Sequence, residues 1–129
     1  MLTVKTSQRE TFINITSDIQ KVIDQTGFSE GHVIIFVPHT TAAVTINENA
    51  DPDVLTDLVY GFKKAFPNRQ EFNHLEGNSD AHLKSSTLGV DQTVLFTNKN
   101  LILGTWQSIF FAEFDGPRNR KLYVQVNGE

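Results

Sequence analysis

The stretch His74-Leu-Glu-Gly-Asn-Ser-Asp-Ala-His-Leu-Lys-Ser-Ser86 carries the densest chemistry of the chain. It holds two imidazoles, two carboxylates (Glu76 and Asp80), an amide, a lysine and several hydroxyls, and only Leu75, Ala81 and Leu83 are apolar. Burial alone cannot order such a segment, so a metal, an anion or a partner subunit is expected to do so. Neutral imidazole and carboxylate are the side chains that hold divalent metals and move protons. A third imidazole, His39, follows Pro38 at the end of an apolar run, where a strand gives rigid support. Three converging histidines would make the open, three-ligand arrangement of a catalytic zinc. His74 and His82 do not have a fixed helical His-x-x-x-His spacing, so only the fold can bring them together. The competing reading is that they hydrogen-bond around a loop. His32 begins a strand without polar neighbours and reads as structural.

Glu76 and Asp80 sit between the loop histidines, where a carboxylate can orient an imidazole or act as a general base. Asn78, Ser79 or Asp80 could instead cap a short helix. Lys84, Arg118 and Arg120 are candidates for phosphate contacts, since guanidinium presents a planar fork to phosphate oxygens and ammonium a point charge. Ser85, Ser86 and Thr87 could join them. Surface arginines in a turn are the plainer reading. No Walker loop, dinucleotide fingerprint or serine nucleophile elbow accompanies these groups. Asn47 and Glu48 leave a strand in a polar turn. Glu113 alternates with aromatic residues, which makes it either solvent-facing or a buried acid with a partner.

The elements that must position these groups can be read from periodicity. Leu2–Ser7 and Thr11–Ile15 alternate apolar and polar residues, which predicts an N-terminal hairpin. Ser17-Asp-Ile-Gln20 fits a capping box, Ile15, Ile19, Val22 and Ile23 follow at helical spacing, and Gly27 is a natural stop. His32–Val37 is a continuous apolar run ended by Pro38 and reads as a strand buried on both faces. Ala42–Asn47 is the next strand. Asp51-Pro-Asp53 opens a second helix, with Val54, Leu55, Leu58, Val59, Phe62 and Phe66 on one face and Pro67 closing it. The polar segment then forms a loop in which Ser79–Ser85 makes one or two helical turns. Strands return at Gln92–Thr97, Leu101–Phe114 and Arg120–Val126. In the middle one Trp106, Phe110 and Phe114 share one side, and Gln107, Ile109, Phe111 and Glu113 the other. Asp115-Gly-Pro-Arg118 reverses the chain. This order predicts an α+β domain of largely antiparallel sheets with two main helices.

Length and composition narrow the function. The chain has 129 residues, one domain's worth, and no run near the roughly 20 apolar residues that span a bilayer. The opening Met-Leu-Thr-Val-Lys-Thr lacks a signal peptide's basic end and apolar stretch, so a cytoplasmic location is expected. Cysteine is absent, which removes disulfides, thiolate metal sites and a cysteine nucleophile. A net charge of −4 without a basic stripe argues against nucleic-acid binding, and leaves room for a small phosphorylated ligand. Ten phenylalanines will dominate the core or a subunit interface.

Four segments taken together resemble the YjbQ family, the secondary thiamine-phosphate synthase-like proteins. They are His39-Thr-Thr-Ala-Ala-Val-Thr-Ile-Asn-Glu48, the His74–Ser86 stretch, Leu103-Gly-Thr-Trp-Gln107, and Glu113-Phe-Asp-Gly-Pro-Arg118 with Arg120. The likeness spans nearly the whole chain. It implies an α+β sheet sandwich assembled as a homotrimer, with a polar pocket near subunit boundaries and a divalent metal, zinc by association or magnesium with a diphosphate substrate. His39, His74 and His82 become the implied metal or catalytic histidines, with Glu76 and Asp80 beside them. Asn47, Glu48, Lys84, Ser85, Trp106, Gln107, Asp115, Arg118 and Arg120 become the implied substrate-binding residues. The implied activity is metal-dependent chemistry on a small phosphorylated metabolite, for which the family's secondary reaction joins a pyrimidine diphosphate to a thiazole phosphate. A non-catalytic trimeric module that binds a metal or anion, or senses a metabolite, is the alternative.

Overall fold

A computed structural model describes all 129 residues. The strands are β1 (Leu2–Lys5), β2 (Thr11–Asn14), β3 (Gly31–Phe36), β4 (Ala42–Glu48), β5 (Asp91–Thr97), β6 (Asn100–Leu101), β7 (Gln107–Glu113) and β8 (Asn119–Gly128). The helices are α1 (Thr16–Thr26), α2 (Pro52–Ala65) and α3 (Ser79–Leu88). Five strands form one antiparallel sheet in the order β1-β8-β3-β5-β6, and three form a second in the order β2-β7-β4. The fold is α+β, and the sheets pack face to face as expected.

Two apolar layers hold it together. Val33, Ile35, Val94, Phe96 and Leu122 of the large sheet meet Ala42, Val44, Ile109 and Phe111 of the small one, with Ile15 just before α1 and Ile19 and Ile23 within it closing the gap. On the other side of the small sheet, Phe12, Ala43, Phe110, Ala112 and Phe114 are covered by Leu55, Leu58, Val59 and Phe62 of α2 and by Ala81 of α3. Strand β7 is therefore central and buried on both faces. Each large side chain buried there is worth about 1.5–3 kcal/mol.

Several expectations need correction. β1 and β2 do not form a hairpin: β1 pairs with β8 and β2 with β7, in different sheets. Alternation tells which face is buried, not which strand is the neighbour. The run in β3 is not buried on both faces, since Val33 and Ile35 point into the core while Phe36 is 44% exposed. Helix α1 starts at Thr16, and Ser17-to-Gln20 forms no capping box. Asn14 Oδ1 instead accepts the Thr16 N–H, and Gln20 is drawn away to the Lys99 carbonyl and the Leu101 N–H. Leu101–Phe114 is broken into β6 and β7 by an irregular stretch. A third full helix, α3, replaces the expected one or two turns, and no side chain caps its start. Helix α2 begins as its sequence demands, with Asp51 Oδ1 accepting the Asp53 N–H and Pro52 at the first turn. Gly27 ends α1 in the left-handed conformation at φ 75°.

The links between β1 and β2, β3 and β4, and β7 and β8 all cross from one sheet to the other at the same end of the sandwich. Backbone hydrogen bonds tie them together: Thr6 N to Arg118 O, Gly116 N to Arg9 O, and Phe114 N to Thr41 O. Gly116 is required there, because a Cβ would sit 2.3 Å from the Gln8 carbonyl oxygen. This stacked crossing is the platform for the site.

Candidate functional site

Where the sheets cross, Glu113 and Arg120 form a buried ion pair. Arg120 donates from Nε to Glu113 Oε1 at 2.8 Å and from Nη2 to Glu113 Oε2 and to Thr41 Oγ1, the last at 2.8 Å. Glu113 Oε1 also accepts from Thr6 Oγ1 at 2.7 Å, and Oε2 from the Asp115 N–H at 3.0 Å. Burial pushes the Glu113 carboxyl up, yet these donors, Arg120 foremost, outweigh it and hold it below the usual carboxylate range. The pair thus anchors one residue of each of three crossing links: Thr6, Thr41 and Asp115.

Over this anchor lies a cleft of about 410 Å³. His39 and Thr41 of the β3–β4 link, His74 and Glu76 of the polar loop, His82 of α3, and Arg118 and Arg120 all line it, and no apolar side chain other than Pro38 does. The three histidines singled out from the sequence therefore share one cleft. The His74 and His82 rings meet edge to face with centroids 5.3 Å apart. Glu76 Oε1 lies 3.9 Å from His74 Nε2. Gly77, at φ 79°, turns the loop back toward α3, and its carbonyl accepts from Asn68 Nδ2 at 3.0 Å.

His39 is used differently from the other two. Its Nε2 accepts the Lys121 N–H at 2.8 Å. A backbone amide can only donate, so Nε2 carries the lone pair and the neutral ring bears its proton on Nδ1. Burial and the Arg120 charge lower its pKa against the opposing pull of Glu113 and the Lys121 bond. His39 is thus a neutral imidazole offering an N–H donor. The expected three-imidazole cage is not formed, and no three His, Asp or Glu side chains meet at a common metal-sized centre. His74 and His82, with Glu76 close by, remain of the right donor types for a divalent ion.

Asn78, which sequence reasoning treated only as a cap, proves to be the hinge of the cleft. It is 6% exposed. Its Nδ2 donates to Glu76 Oε2 at 3.0 Å and to Asp115 Oδ2 at 2.8 Å. Asp115 in turn accepts from Arg118 Nη2 at 2.9 Å. Burial raises the Asp115 carboxyl, but Asn78 and Arg118 override this and lower it. Thr41 was likewise not singled out. Its only sequence signal is its place beside His39.

Other expected residues stand outside the cleft. Lys84 is 1% exposed and bonds Glu10 Oε1 and Asp80 Oδ2, the latter at 3.3 Å. Asp80 faces the Arg9 guanidinium at 3.3 Å and is buried with Lys84. It therefore supports neither imidazole. Burial raises its pKa, and Arg9 and Lys84 together bring it below the usual value. Ser85 Oγ donates to the Thr40 carbonyl at 2.5 Å, so it fixes the β3–β4 link and touches no ligand space. Asn47, Glu48, Trp106 and Gln107 lie at the far end of the β4–β7 pair, where Glu48 is opposite Gln107 while Ala42 is opposite Glu113. Six residue steps of strand put them about 20 Å from the cleft in the same chain. Asn47 and Gln107 spend their side chains locally, on the Glu48 N–H and the Gly104 N–H.

Comparison with known proteins places this architecture. The family model described as "UPF0047 protein YjbQ-like" matches residues 1–129. The chain belongs to the YjbQ family. UPF0047 protein YugU of Bacillus subtilis is 48% identical, over 98% of this chain and 97% of its own. A UPF0047 protein of Methanocaldococcus jannaschii is 49% identical over 98% of this chain and 91% of its own. Among solved structures, a YjbQ/UPF0047-family protein of Clostridium acetobutylicum superposes with a TM-score of 0.95 at 48% identity, covering 98% of both chains. A YbjQ-like protein of Sulfolobus solfataricus reaches 0.94 at 30% identity, covering 99% of this chain and 94% of its own. The YjbQ fold thus persists across sequences that share fewer than a third of their residues. No helix of this member is long and apolar enough to cross a membrane.

Proposed function

We propose that this YjbQ-family protein is an enzyme acting on a small phosphorylated compound, with the His39–His74–His82–Arg118 cleft as its site and a divalent ion as its cofactor. The observation that carries the reading is the grouping of three imidazoles with two arginines in a cleft whose one non-polar lining residue is Pro38. Charge supports a cation. Arg118 and Arg120, with Arg9 at 4.0 Å from Asp115, are matched by Glu76, Glu113 and Asp115, so the arginines around the site are already balanced by carboxylates. A phosphate entering that balanced site needs an added positive charge. His74 and His82 are the residues that would hold the ion, with Glu76 nearest to them. When bound it would neutralise phosphate oxygens as a Lewis acid. Arg118 would bind the phosphate, Arg120 Nη1, which makes no hydrogen bond within the protein, would orient it, and His39 Nδ1–H would donate to an oxygen on which charge develops. Formation of thiamine phosphate, in which the departing diphosphate would be stabilised by these groups, is one reaction within this class.

The test is metal content by plasma emission after chelator-free purification, paired with phosphate or diphosphate release. His74→Ala and His82→Ala should each lose most of the metal and at least about tenfold in turnover. Full metal loading and unchanged turnover in both variants would remove them from the role.

A second reading, a module that binds or senses a phosphorylated metabolite without turning it over, draws on Asp80 and Lys84. Both are locked in an internal ion network, which leaves Glu76 as the one carboxylate at the cleft mouth. Strong thermal stabilisation by phosphorylated compounds with no product would favour it.

Assembly into a homotrimer is part of the proposal. Phe36 and Tyr123 face each other across β3 and β8 on the uncovered side of the large sheet, and Leu95 lies on the same side. An exposed apolar patch of this kind marks an interface in a well-behaved protein. Sedimentation velocity of Phe36→Lys should show smaller species than the parent; an unchanged sedimentation coefficient would place any interface elsewhere.

A further inference from the structure

We infer that the compound bound in the cleft is a phosphate ester of a hydroxyl-rich body, a polyol or sugar phosphate, and not of an aromatic ring. The inference rests on the phosphate-site reading above, narrows it to a substrate class, and sets aside the thiamine-phosphate reaction, whose two substrates are built on aromatic rings. Two observations carry it.

The first is a buried acceptor with no partner. Both N–H groups of Asn78 are spent on carboxylates, Glu76 Oε2 and Asp115 Oδ2, which fixes the orientation of the amide. Its Oδ1 is buried and receives no hydrogen bond. A carbonyl oxygen left so is costly and calls for a donor. Asn78 lines the cleft, so the ligand is the natural source. An O–H suits this oxygen better than an ammonium would. A buried ammonium needs a carboxylate of its own, and Glu76 and Asp115 are already engaged by Asn78 and paired with Arg118.

The second observation is what the cleft lacks. An aromatic ring gains its binding energy from apolar or aromatic surface. Here Pro38 is the sole non-polar lining residue. Trp106, the chain's one tryptophan, is 62% exposed at the far end of β7. Thr40, Thr41 and Glu76 around the cleft offer oxygens to hydroxyls. The phosphate falls to Arg118 and the free Nη1 of Arg120, and the hydroxylated body to Asn78, Glu76 and the threonines.

Calorimetric titration of the full chain with a divalent ion present decides this, using inorganic phosphate, ribose 5-phosphate, glycerol 3-phosphate, O-phosphoethanolamine and phenyl phosphate. Ribose 5-phosphate should bind at least about tenfold more tightly than phenyl phosphate, because a site built to pair with hydroxyls rejects a ligand lacking them. In Asn78→Ala that ratio should shrink to about threefold or less, with inorganic phosphate still bound, as loss of the acceptor removes the discrimination. Phenyl phosphate binding as tightly as ribose 5-phosphate overturns the inference and leaves the phosphate site standing. So does O-phosphoethanolamine binding more tightly than glycerol 3-phosphate. Failure of every probe, inorganic phosphate included, overturns the phosphate site itself and the inference with it. Should Asn78→Ala not fold, the ligand series on the parent chain is sufficient.

Discussion

Lys84 carries its ammonium into the interior of a small domain and is held there by two carboxylates, Glu10 and Asp80, with Arg9 balancing the second. Removing one partner of such a group leaves the others charged and unsolvated. Lys84→Met is therefore expected to cost about 3–5 kcal/mol in urea unfolding. The affinity of the folded variant for inorganic phosphate should stay within the scatter of the assay. A stable variant that no longer binds phosphate would return Lys84 to the cleft. The Glu113–Arg120 pair is similar in burial and different in consequence, because it also fastens Thr6 and Thr41. Glu113→Gln should lose a comparable amount of stability and, unlike Lys84→Met, should weaken ligand binding, since the cleft floor loosens with it.

At the scale of elements, the contrast lies between β7 and α2. Every residue of β7 from Ser108 to Glu113 is buried, whereas no residue of α2 is: its apolar stripe covers Phe12 and Phe114 while remaining partly exposed itself. Amide exchange should therefore be slowest in β7 and faster by orders of magnitude in α2, which opens without disturbing the sandwich. Equal protection in both would mean that α2 is covered by something absent from the single chain. Phe62 meets Phe114 at 5.8 Å between ring centroids. Truncation of Phe62 to Ala should cost less than the roughly 3–5 kcal/mol typical of a fully enclosed phenylalanine. A larger loss in chemical denaturation would show that α2 is integral to the core.

For the molecule as a whole, acid should be destabilising, and the direction follows from the shifted groups. His39 has a folded pKa below its ordinary 6.5, so below that pH the unfolded chain binds the extra proton and stability begins to fall. Asp80, Glu113 and Asp115 are also lowered, from ordinary values of 3.8, 4.5 and 3.8. Their contribution is complete above those values and is lost as pH falls through them toward the folded pKa. Two-stage loss of melting temperature is expected, shallow below about pH 6.5 and steep below about pH 4.5. In His39→Gln the shallow stage should vanish. A melting temperature rising between pH 7 and pH 5 would contradict the sign.

Residue types announced the chemistry of the site, and local patterns announced most of the elements. Three imidazoles, two arginines and Glu76 were recognisable as site material because few other side chains bind metal or phosphate. Asp51-Pro52 and Gly27 marked helix ends because caps and stops are governed by bonds to near neighbours in the chain. Which strands pair, and hence that β1 and β2 part company, depended on contacts more than a hundred residues apart along the chain, such as Thr6 with Glu113. Burial was equally hidden. Lys84 and Asp80 look like solvent-borne catalytic groups when written in a line, and become an internal ion network only once Glu10 and Arg9 are folded against them. Asn78 looks like a helix cap, and its role emerges from Asp115, a residue on another element. Side-chain identity sets what a group is able to do, while long-range packing sets its neighbours, its solvation and therefore which of those things it does.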